Sequence, residues 1–231
     1  MYVFPGGGVD DEDVHVAVDV GFLPKDTPAD RSAEQKHLQE VWSSRIAALR
    51  ELSEETSCVL RAHSTIESRE DWQNSEGGKR SGRPFDVLAA PLLTPLGRWI
   101  TPEESKYRYD TYFYGAVLKG ATEAGRDHSL PPQLVKLQSE EREISSLLWV
   151  SPLEALIRHE LPEEAFTLPP PTFHLLSALA RVPSFAWLAD QWHQRRRDLS
   201  PTDTPEELSY PSVTPGTRTR EGEGGHLLSP S

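Results

Sequence analysis

The chain has a single cysteine, Cys58, and lacks several features that define broad classes of protein. One cysteine excludes an internal disulfide and any zinc site built from several thiolates. No apolar run approaches the roughly 18 residues that cross a bilayer, and the N-terminus shows no signal-peptide pattern. We therefore predict no membrane span, no visible targeting signal, and a buried, apolar role for Cys58.

Basic residues are also scarce relative to acidic ones. The chain has 24 lysines and arginines against 36 aspartates and glutamates, which gives a formal net charge of −12. A surface of this kind argues against non-specific binding to nucleic acid. An anionic small molecule would need a divalent cation and a few local basic groups. With 231 residues and 36% hydrophobic content, the chain can bury one sizeable core.

The strongest chemical signal in the chain is the segment RELSEET at residues 50–56. At roughly 100° per residue, Glu51, Glu54 and Glu55 fall on one side of a helix. We predict that this helix begins at residue 33 or 35 and ends at residue 56. The other side carries the side chains that pack on a sheet, namely Trp42, Ile46, Leu49 and Thr56. The acidic face is either simply solvated or neutralised by cations.

A glycine-rich segment precedes this helix. Residues 2–8 read YVFPGGG, which predicts a short strand broken by a proline and a tight glycine turn. Together with the downstream RELxEE helix, FPGG resembles the signature of the Nudix superfamily, which are metal-dependent hydrolases of diphosphates linked to another moiety. In the common form of the signature the two parts lie closer together than here, where residues 9–49 intervene.

An interruption at this place resembles one branch of the superfamily, the mitochondrial and peroxisomal acyl-coenzyme A diphosphatases. Further collinear segments are similar to motifs of that branch: PLGRWITP at 95–102, RYDTYF at 108–113, Glu143 with WVSPLEA at 149–155, and LPPPT at 168–172. The resemblance thus covers residues 2 to about 180.

The resemblance implies an α/β fold, the Nudix α/β/α sandwich with a mixed sheet between helices. The Nudix hydrolase domain would span residues 1–197, with 9–35 as an exposed insertion inside the motif. Residues 198–231 are rich in proline, threonine, glutamate and glycine, which predicts a disordered tail. Because the family's sheet begins with strands before FPGG, the N-terminal strands are expected to be missing here.

Local patterns predict the remaining elements. Strands are expected at 85–92, 107–118 and 147–150, with a loop at 64–83. Ser151 and Glu154 predict a capping box that opens a helix with proline at its first position. Two further helices are expected at 171–181 and 184–198.

By resemblance, the function is metal-assisted hydrolysis of the diphosphate of coenzyme A or acyl-CoA, giving 3′,5′-ADP and (acyl) 4′-phosphopantetheine. Oxygen ligands suit Mg²⁺ or Mn²⁺ as the cofactor. The predicted partner is this small-molecule nucleotide, and the oligomeric state is left open. The resemblance implies a mitochondrial or peroxisomal location, with a cytoplasmic one as the alternative.

The resemblance also assigns roles to residues. Glu51, Glu54 and Glu55 would be metal ligands, and Arg50 would orient a glutamate through an ion pair. Glu143 is the candidate for a further ligand or base, in competition with Glu140 and Glu141. The remaining candidates, for substrate binding, are Gly6, Gly7, Arg108 and Asp110, although Arg108 and Asp110 could equally form a structural pair.

The chain departs from the signature at two positions. Trp42 stands where the signature has a glutamate, although Glu40 is close, and Ser57 replaces the glycine after the EE pair. Serine adopts positive φ less readily than glycine, so a distorted turn is expected there. Two alternatives therefore stay open: a Nudix pyrophosphatase acting on ADP-ribose or NADH, and a catalytically impaired Nudix-like module that binds nucleotides or a protein.

Overall fold

A computed structural model describes residues 1–25, 32–119, 147–161, 163, 165–198 and 212–213. This part of the chain contains both helices and strands, which confirms a protein of the general α/β class. The α-helices are α1 Asp11–Asp19, α2 Ala33–Thr56, α3 Arg69–Asn74, α4 Glu76–Ser81, α5 Pro152–Glu160, α6 Pro170–Ala180 and α7 Phe185–Asp198. The strands are β1 Cys58–Leu60, β2 Ile66–Ser68, β3 Thr94–Ile100, β4 Asp110–Gly115 and β5 Ser212–Val213.

Helix α2 forms the centre of the fold and matches the predicted helix. Ser32 caps its N-terminus by accepting a hydrogen bond from the backbone N–H of Gln35, whose side chain accepts one from Ser32 N–H. At the other end, Ser57 has φ +55° and ψ +22°. Its N–H donates to the carbonyl of Ser53. Ser57 therefore occupies the left-handed region that favours glycine at a helix end.

The prediction that residues 9–35 form an exposed insertion is wrong for the inner face of helix α1. Val16 is 3% exposed and Ala17 is fully buried. Both pack against α2 in the main core. The segment begins with acidic residues but forms an amphipathic helix. Its inner face is made by residues at helical spacing, namely Asp13, Val16, Ala17 and Val20.

The described residues form two small sheets, whereas a single mixed sheet between helices was expected. Strands β1 and β2 form an antiparallel hairpin. In the second sheet the order is β4-β3-β5, with β3 antiparallel to β4 and parallel to β5. The described residues therefore show strands and helices packed together, without one sheet enclosed between helical layers.

Several local predictions are corrected. Residues 85–92 form no strand, because Asp86 caps a 3₁₀ helix at Val87–Leu92 that contains Pro91. The predicted loop at 64–83 contains β2, α3 and α4 instead. Residues 2–4 and 147–150 form no strand. The strand predicted at 107–118 is confirmed over Asp110–Gly115, and the capping serine of α5 is confirmed at Ser151.

The main core lies where α2 packs on α1, β1 and the 3₁₀ helix. Ile46 and Leu49 of α2 are almost fully buried there, and Cys58 is 1% exposed, as predicted. A second apolar cluster joins α5 to α6, and Tyr2 stacks on Phe166 within it at 4.2 Å. None of the described helices is long and apolar enough to cross a membrane.

Candidate functional site

Arg50 on α2 is the centre of a charged cluster. Its Nε donates to Asp13 Oδ1 at 3.1 Å, and its Nη2 donates to Asp13 Oδ2 at 3.1 Å, so the two side chains form a bidentate pair. Its Nη1 donates to Glu51 Oε1 at 2.9 Å and to Glu54 Oε2 at 3.2 Å. Asp10 Oδ2 lies 3.4 Å from Nη2. One guanidinium therefore orients carboxylates from two helices.

Burial makes the Arg50–Asp13 pair the firmest part of this cluster. Asp13 is 1% exposed, whereas the side chain of Glu54 is 45% exposed. The hydrogen bonding that Arg50 donates to the Asp13 carboxylate is the main reason why the pKa of Arg50 is raised above its ordinary value. Asp13 Oδ2 also accepts the backbone N–H of Asp10 at 2.9 Å. Arg50 thus remains a cation and fixes α1 against the acidic face of α2.

The glycine turn lies directly against this acidic face. Gly6 N–H donates to Glu55 Oε2 at 3.0 Å, and the carbonyl of Gly8 accepts from Arg50 Nη2 at 2.9 Å. A Cβ on Gly7 would lie only 2.1 Å from Glu51 Oε1, so a side chain there would collide with the carboxylate. The structure thus brings together the two parts of the interrupted motif, although residues 9–49 separate them in sequence.

The cluster carries an excess of negative charge, because four carboxylates surround the Arg50 guanidinium. Oxygen donors with this charge fit Mg²⁺ or Mn²⁺ by their chemistry. Their arrangement does not yet form a metal site. Among the described residues, no three acidic, histidine or cysteine side chains lie close enough together to hold a metal ion. Glu51 and Glu54 bind Arg50, and Glu55 binds Gly6. Metal ligation by the three glutamates therefore stays a prediction.

The remaining predicted site residues lie elsewhere. Glu143, with Glu140 and Glu141, lies outside the described residues. The suggested pair of Arg108 with Asp110 is wrong, since Asp110 binds Arg98, with Arg98 Nε donating to Asp110 Oδ1 at 2.7 Å. Arg108 itself is exposed just before β4. Neither Arg108 nor Asp110 contacts the Arg50 cluster, and their role in substrate binding stays a prediction.

Trp42 stands where the Nudix signature has a glutamate, and Glu40 lies close to it; both residues have structural contacts. Trp42 stacks on Phe22 with ring centroids 4.4 Å apart, which places it in the packing between α2 and the segment after α1. Glu40 faces β4, where its Oε1 accepts a hydrogen bond of 2.5 Å from the hydroxyl of Tyr112. Burial raises the pKa of that Tyr112 hydroxyl. Neither Trp42 nor Glu40 contacts Arg50, so neither supplies a carboxylate to its cluster.

Sequence reasoning missed Asp13 and Asp10 as members of the cluster. Their segment looked like an exposed acidic run, and only the helical spacing of Asp13 with the buried Val16 and Ala17 signals an inward-facing carboxylate. A buried aspartate requires a cation, and the one cation adjacent in the signature is Arg50.

Comparison with family models, with curated proteins and with solved structures finds no match for this chain.

Gly7→Ala is expected to reduce any activity of this site roughly tenfold or more, because the added Cβ must displace the Glu51 carboxylate from its position beside Arg50. The fold should persist, since the obstructing atoms belong to the end of a flexible side chain. Initial rates and the thermal unfolding midpoint of the variant measure both effects.

Gly8→Ala is the matched control, because nothing lies within 4 Å of the Cβ that it adds. Equal rates for the Gly7 and Gly8 variants would show that the position of Glu51 does not matter for turnover.

Proposed function

We propose that the chain is a metal-dependent Nudix hydrolase that cleaves the diphosphate of coenzyme A or acyl-CoA. The observation that carries this proposal is the contact between the glycine turn and the acidic face of α2 through Arg50. Two motifs that resemble one signature are far apart in sequence and adjacent in space. Two unrelated motifs would not be expected to lie in contact through the hydrogen bonds that link Gly8, Arg50 and Glu51.

The residues of the cluster take distinct roles in this proposal. Glu51, Glu54 and Glu55 hold Mg²⁺ or Mn²⁺, which when bound neutralises phosphate charge and lowers the pKa of attacking water. Arg50 keeps Glu51 and Glu54 oriented through its hydrogen bonds to both carboxylates. Asp13 holds Arg50 in place from the buried side, so the guanidinium is a positioning group. Glu143 is proposed as a further ligand or base.

The products of the proposed reaction are 3′,5′-ADP and (acyl) 4′-phosphopantetheine. The acidic site needs a cation before it can accept a diphosphate, because the carboxylates otherwise repel the substrate. A mitochondrial or peroxisomal location and a small-molecule partner belong to the same proposal. They rest on the resemblance of residues 95–102, 108–113, 149–155 and 168–172 to the acyl-CoA diphosphatases.

A catalytically impaired Nudix-like module is the second candidate. It is favoured by the contacts of the three glutamates, each of which already binds a group of the chain itself. Trp42, which packs between α2 and the segment after α1, stands in place of one carboxylate of the signature. Such a module would bind a nucleotide without turning it over.

The chain is expected to hydrolyse CoA in the presence of Mg²⁺ or Mn²⁺ and to be inactive in EDTA, because the carboxylates alone cannot stabilise the developing phosphate charge. Mass spectrometry of the reaction should identify 3′,5′-ADP.

Three outcomes separate the candidates. Much faster cleavage of ADP-ribose or NADH, with CoA intact, would replace the substrate assignment within the same chemistry. Nucleotide binding without any cleavage would favour the impaired module. Hydrolysis of CoA that persists in EDTA would contradict the metal-dependent mechanism.

A further inference from the structure

The segment that carries the glycine turn has no regular structure of its own. Residues 1–10 form neither helix nor strand, and most of them are exposed. Ordering such a turn is entropically costly, because glycine loses more conformational freedom than any other residue. Gly6 and Gly8 contact Glu55 and Arg50, but these are the side chains against which the turn has to be placed. An anchor on a different part of the fold would lower the cost of placing it.

Tyr2 supplies such an anchor. Its ring stacks on that of Phe166, with centroids 4.2 Å apart and an interplanar angle of 21°. Its N–H donates to the carbonyl of Thr167 at 2.7 Å. Tyr2 is half-buried by these contacts, whereas Met1 and Val3 on either side of it are 81% and 60% exposed. The ring and the backbone of one residue therefore hold the segment at one point.

The surface that receives Tyr2 is part of the second apolar cluster, between α5 and α6. Phe166 and Leu168 belong to this cluster and are 4% and 6% exposed. Leu168 N–H donates to Nδ1 of His159 on α5 at 3.3 Å, which holds the backbone on the far side of Thr167. The partners of Tyr2 are thus fixed by α5 and α6, and not by the helix that carries the glutamates.

The connection from Tyr2 to the turn is short and restricted. Gly6 follows Tyr2 by four residues, which span at most about 14 Å when extended. Between them, the ring of Phe4 packs edge-on against that of Phe113 on β4, with centroids 6.3 Å apart. Pro5 fixes its own φ and restricts the backbone of Phe4 before it. A displacement of Tyr2 is therefore transmitted to the glycine turn with little slack.

We propose that Tyr2 is a positioning residue that sets where the glycine turn lies against the acidic face of α2. It acts through its contacts with Phe166 and Thr167, without touching the reacting groups. This inference rests on the proposed function and adds a means of controlling that site. The charged cluster itself is built from α1, α2 and the glycine turn, yet its geometry depends on the α5–α6 cluster. Anything that separates residues 166–168 from Tyr2 lowers the activity of the site.

The amide proton of Gly6 reports the position of the turn in the chain without metal or substrate. Gly6 N–H donates to Glu55 Oε2, and a hydrogen bond to a carboxylate moves the NMR resonance of the proton downfield. Tyr2→Ala should move this resonance towards its position in Glu55→Ala, which lacks the acceptor. Val3→Ala is the matched control, since Val3 is 60% exposed, and it should leave the resonance in place. An unchanged Gly6 resonance in Tyr2→Ala would overturn the proposal.

Hydrolysis of CoA with Mg²⁺ gives the second readout. Tyr2→Ala should lower kcat roughly tenfold or more, because a small displacement of positioned groups is costly, and it should change KM less. Tyr2→Phe keeps the ring and the N–H, so it should restore both kcat and the Gly6 resonance. A purely structural role predicts a lower melting temperature with an unchanged kcat for the folded fraction, and that result would overturn the proposal.

Phe166→Leu removes the stacking partner and should reproduce the shift of the Gly6 resonance. The double variant with Tyr2→Ala should lose no more activity than the weaker single variant, because both substitutions break the same contact. Additive losses would mean that Tyr2 and Phe166 act independently, contrary to the proposal. If Phe166→Leu does not fold, Tyr2→Ala decides the matter, since Tyr2 is only half-buried.

The proposal and the proposed function can fail separately, because the Gly6 measurement uses neither metal nor substrate. A chain in which Tyr2→Ala moves the Gly6 resonance, but which never hydrolyses CoA or another nucleotide, would contradict the proposed function and support the anchor. A chain that hydrolyses CoA with equal kcat in Tyr2→Ala and the parent would support the proposed function and overturn the anchor.

Discussion

Glu54→Gln is expected to abolish hydrolysis of CoA, with a loss of roughly a hundredfold or more, while the fold is retained. A carboxylate that holds a catalytic metal contributes several kcal/mol of charge stabilisation to the transition state. Glu54 is the most exposed of the carboxylates around Arg50 except Asp10, and its contact there is one hydrogen bond of 3.2 Å. Its replacement therefore removes little that supports the fold.

Steady-state rates at saturating Mg²⁺, together with urea unfolding, measure the two sides of this prediction. The free energy of unfolding should be unchanged or slightly higher, because one negative charge leaves a crowded cluster. Glu34→Gln, at an exposed position in the first turn of the same helix, is the control and should keep full activity. A tenfold loss of rate corresponds to about 1.4 kcal/mol of transition-state stabilisation. If Glu54→Gln retains more than roughly a tenth of the activity, Glu54 is not a metal ligand.

Arg50→Met is expected to destabilise the fold by about 3–5 kcal/mol, which is the typical cost of leaving one partner of a buried ion pair uncompensated. Asp13 is 1% exposed and forms its bidentate pair with Arg50. The same substitution frees the carbonyl of Gly8 and the carboxylate of Glu51. A domain stabilised by about 5–15 kcal/mol would lose a large share of its margin.

Urea unfolding followed by tryptophan fluorescence measures this loss. Arg98→Met is the control, because its partner Asp110 has a side chain 41% exposed, and such pairs contribute at most about 1 kcal/mol. Adding Asp13→Asn to Arg50→Met should restore part of the stability, since the uncompensated charge is then removed. If Arg50→Met lowers the free energy of unfolding by less than about 1 kcal/mol, the buried Asp13 carboxylate does not need Arg50 as its counter-ion.

The predicted helix 33–56 agrees with α2 because its signals are local. Ser32 and Gln35 mark its beginning, and the spacing of Ile46 and Leu49 marks its buried face. The distorted turn expected at Ser57 is wrong, because this serine adopts the left-handed backbone that glycine usually takes there and closes the helix with a regular hydrogen bond to Ser53. Caps and periodicity act over one or two turns of helix, so the sequence alone reveals them.

The errors concern features that depend on distant contacts. An acidic start made residues 9–35 look exposed, yet α1 packs its Val16 and Ala17 against α2. Residues 85–92 have the apolar composition of a buried strand, but Pro91 and the cap at Asp86 favour a 3₁₀ helix. Burial of an apolar run fits both a strand and a 3₁₀ helix, so apolar composition alone did not separate them.

The sequence by itself determined the chemistry available at the site. The glycine turn, Arg50 and the glutamates on one face of α2 follow from residue identity and helical period. The tertiary structure alone decided how they meet: α1 places the buried Asp13 against Arg50, and Arg50 then joins the Gly8 carbonyl to Glu51. The reason is electrostatic, because a carboxylate removed from water binds a cation that the fold brings within hydrogen-bond distance, however far apart the two lie in sequence.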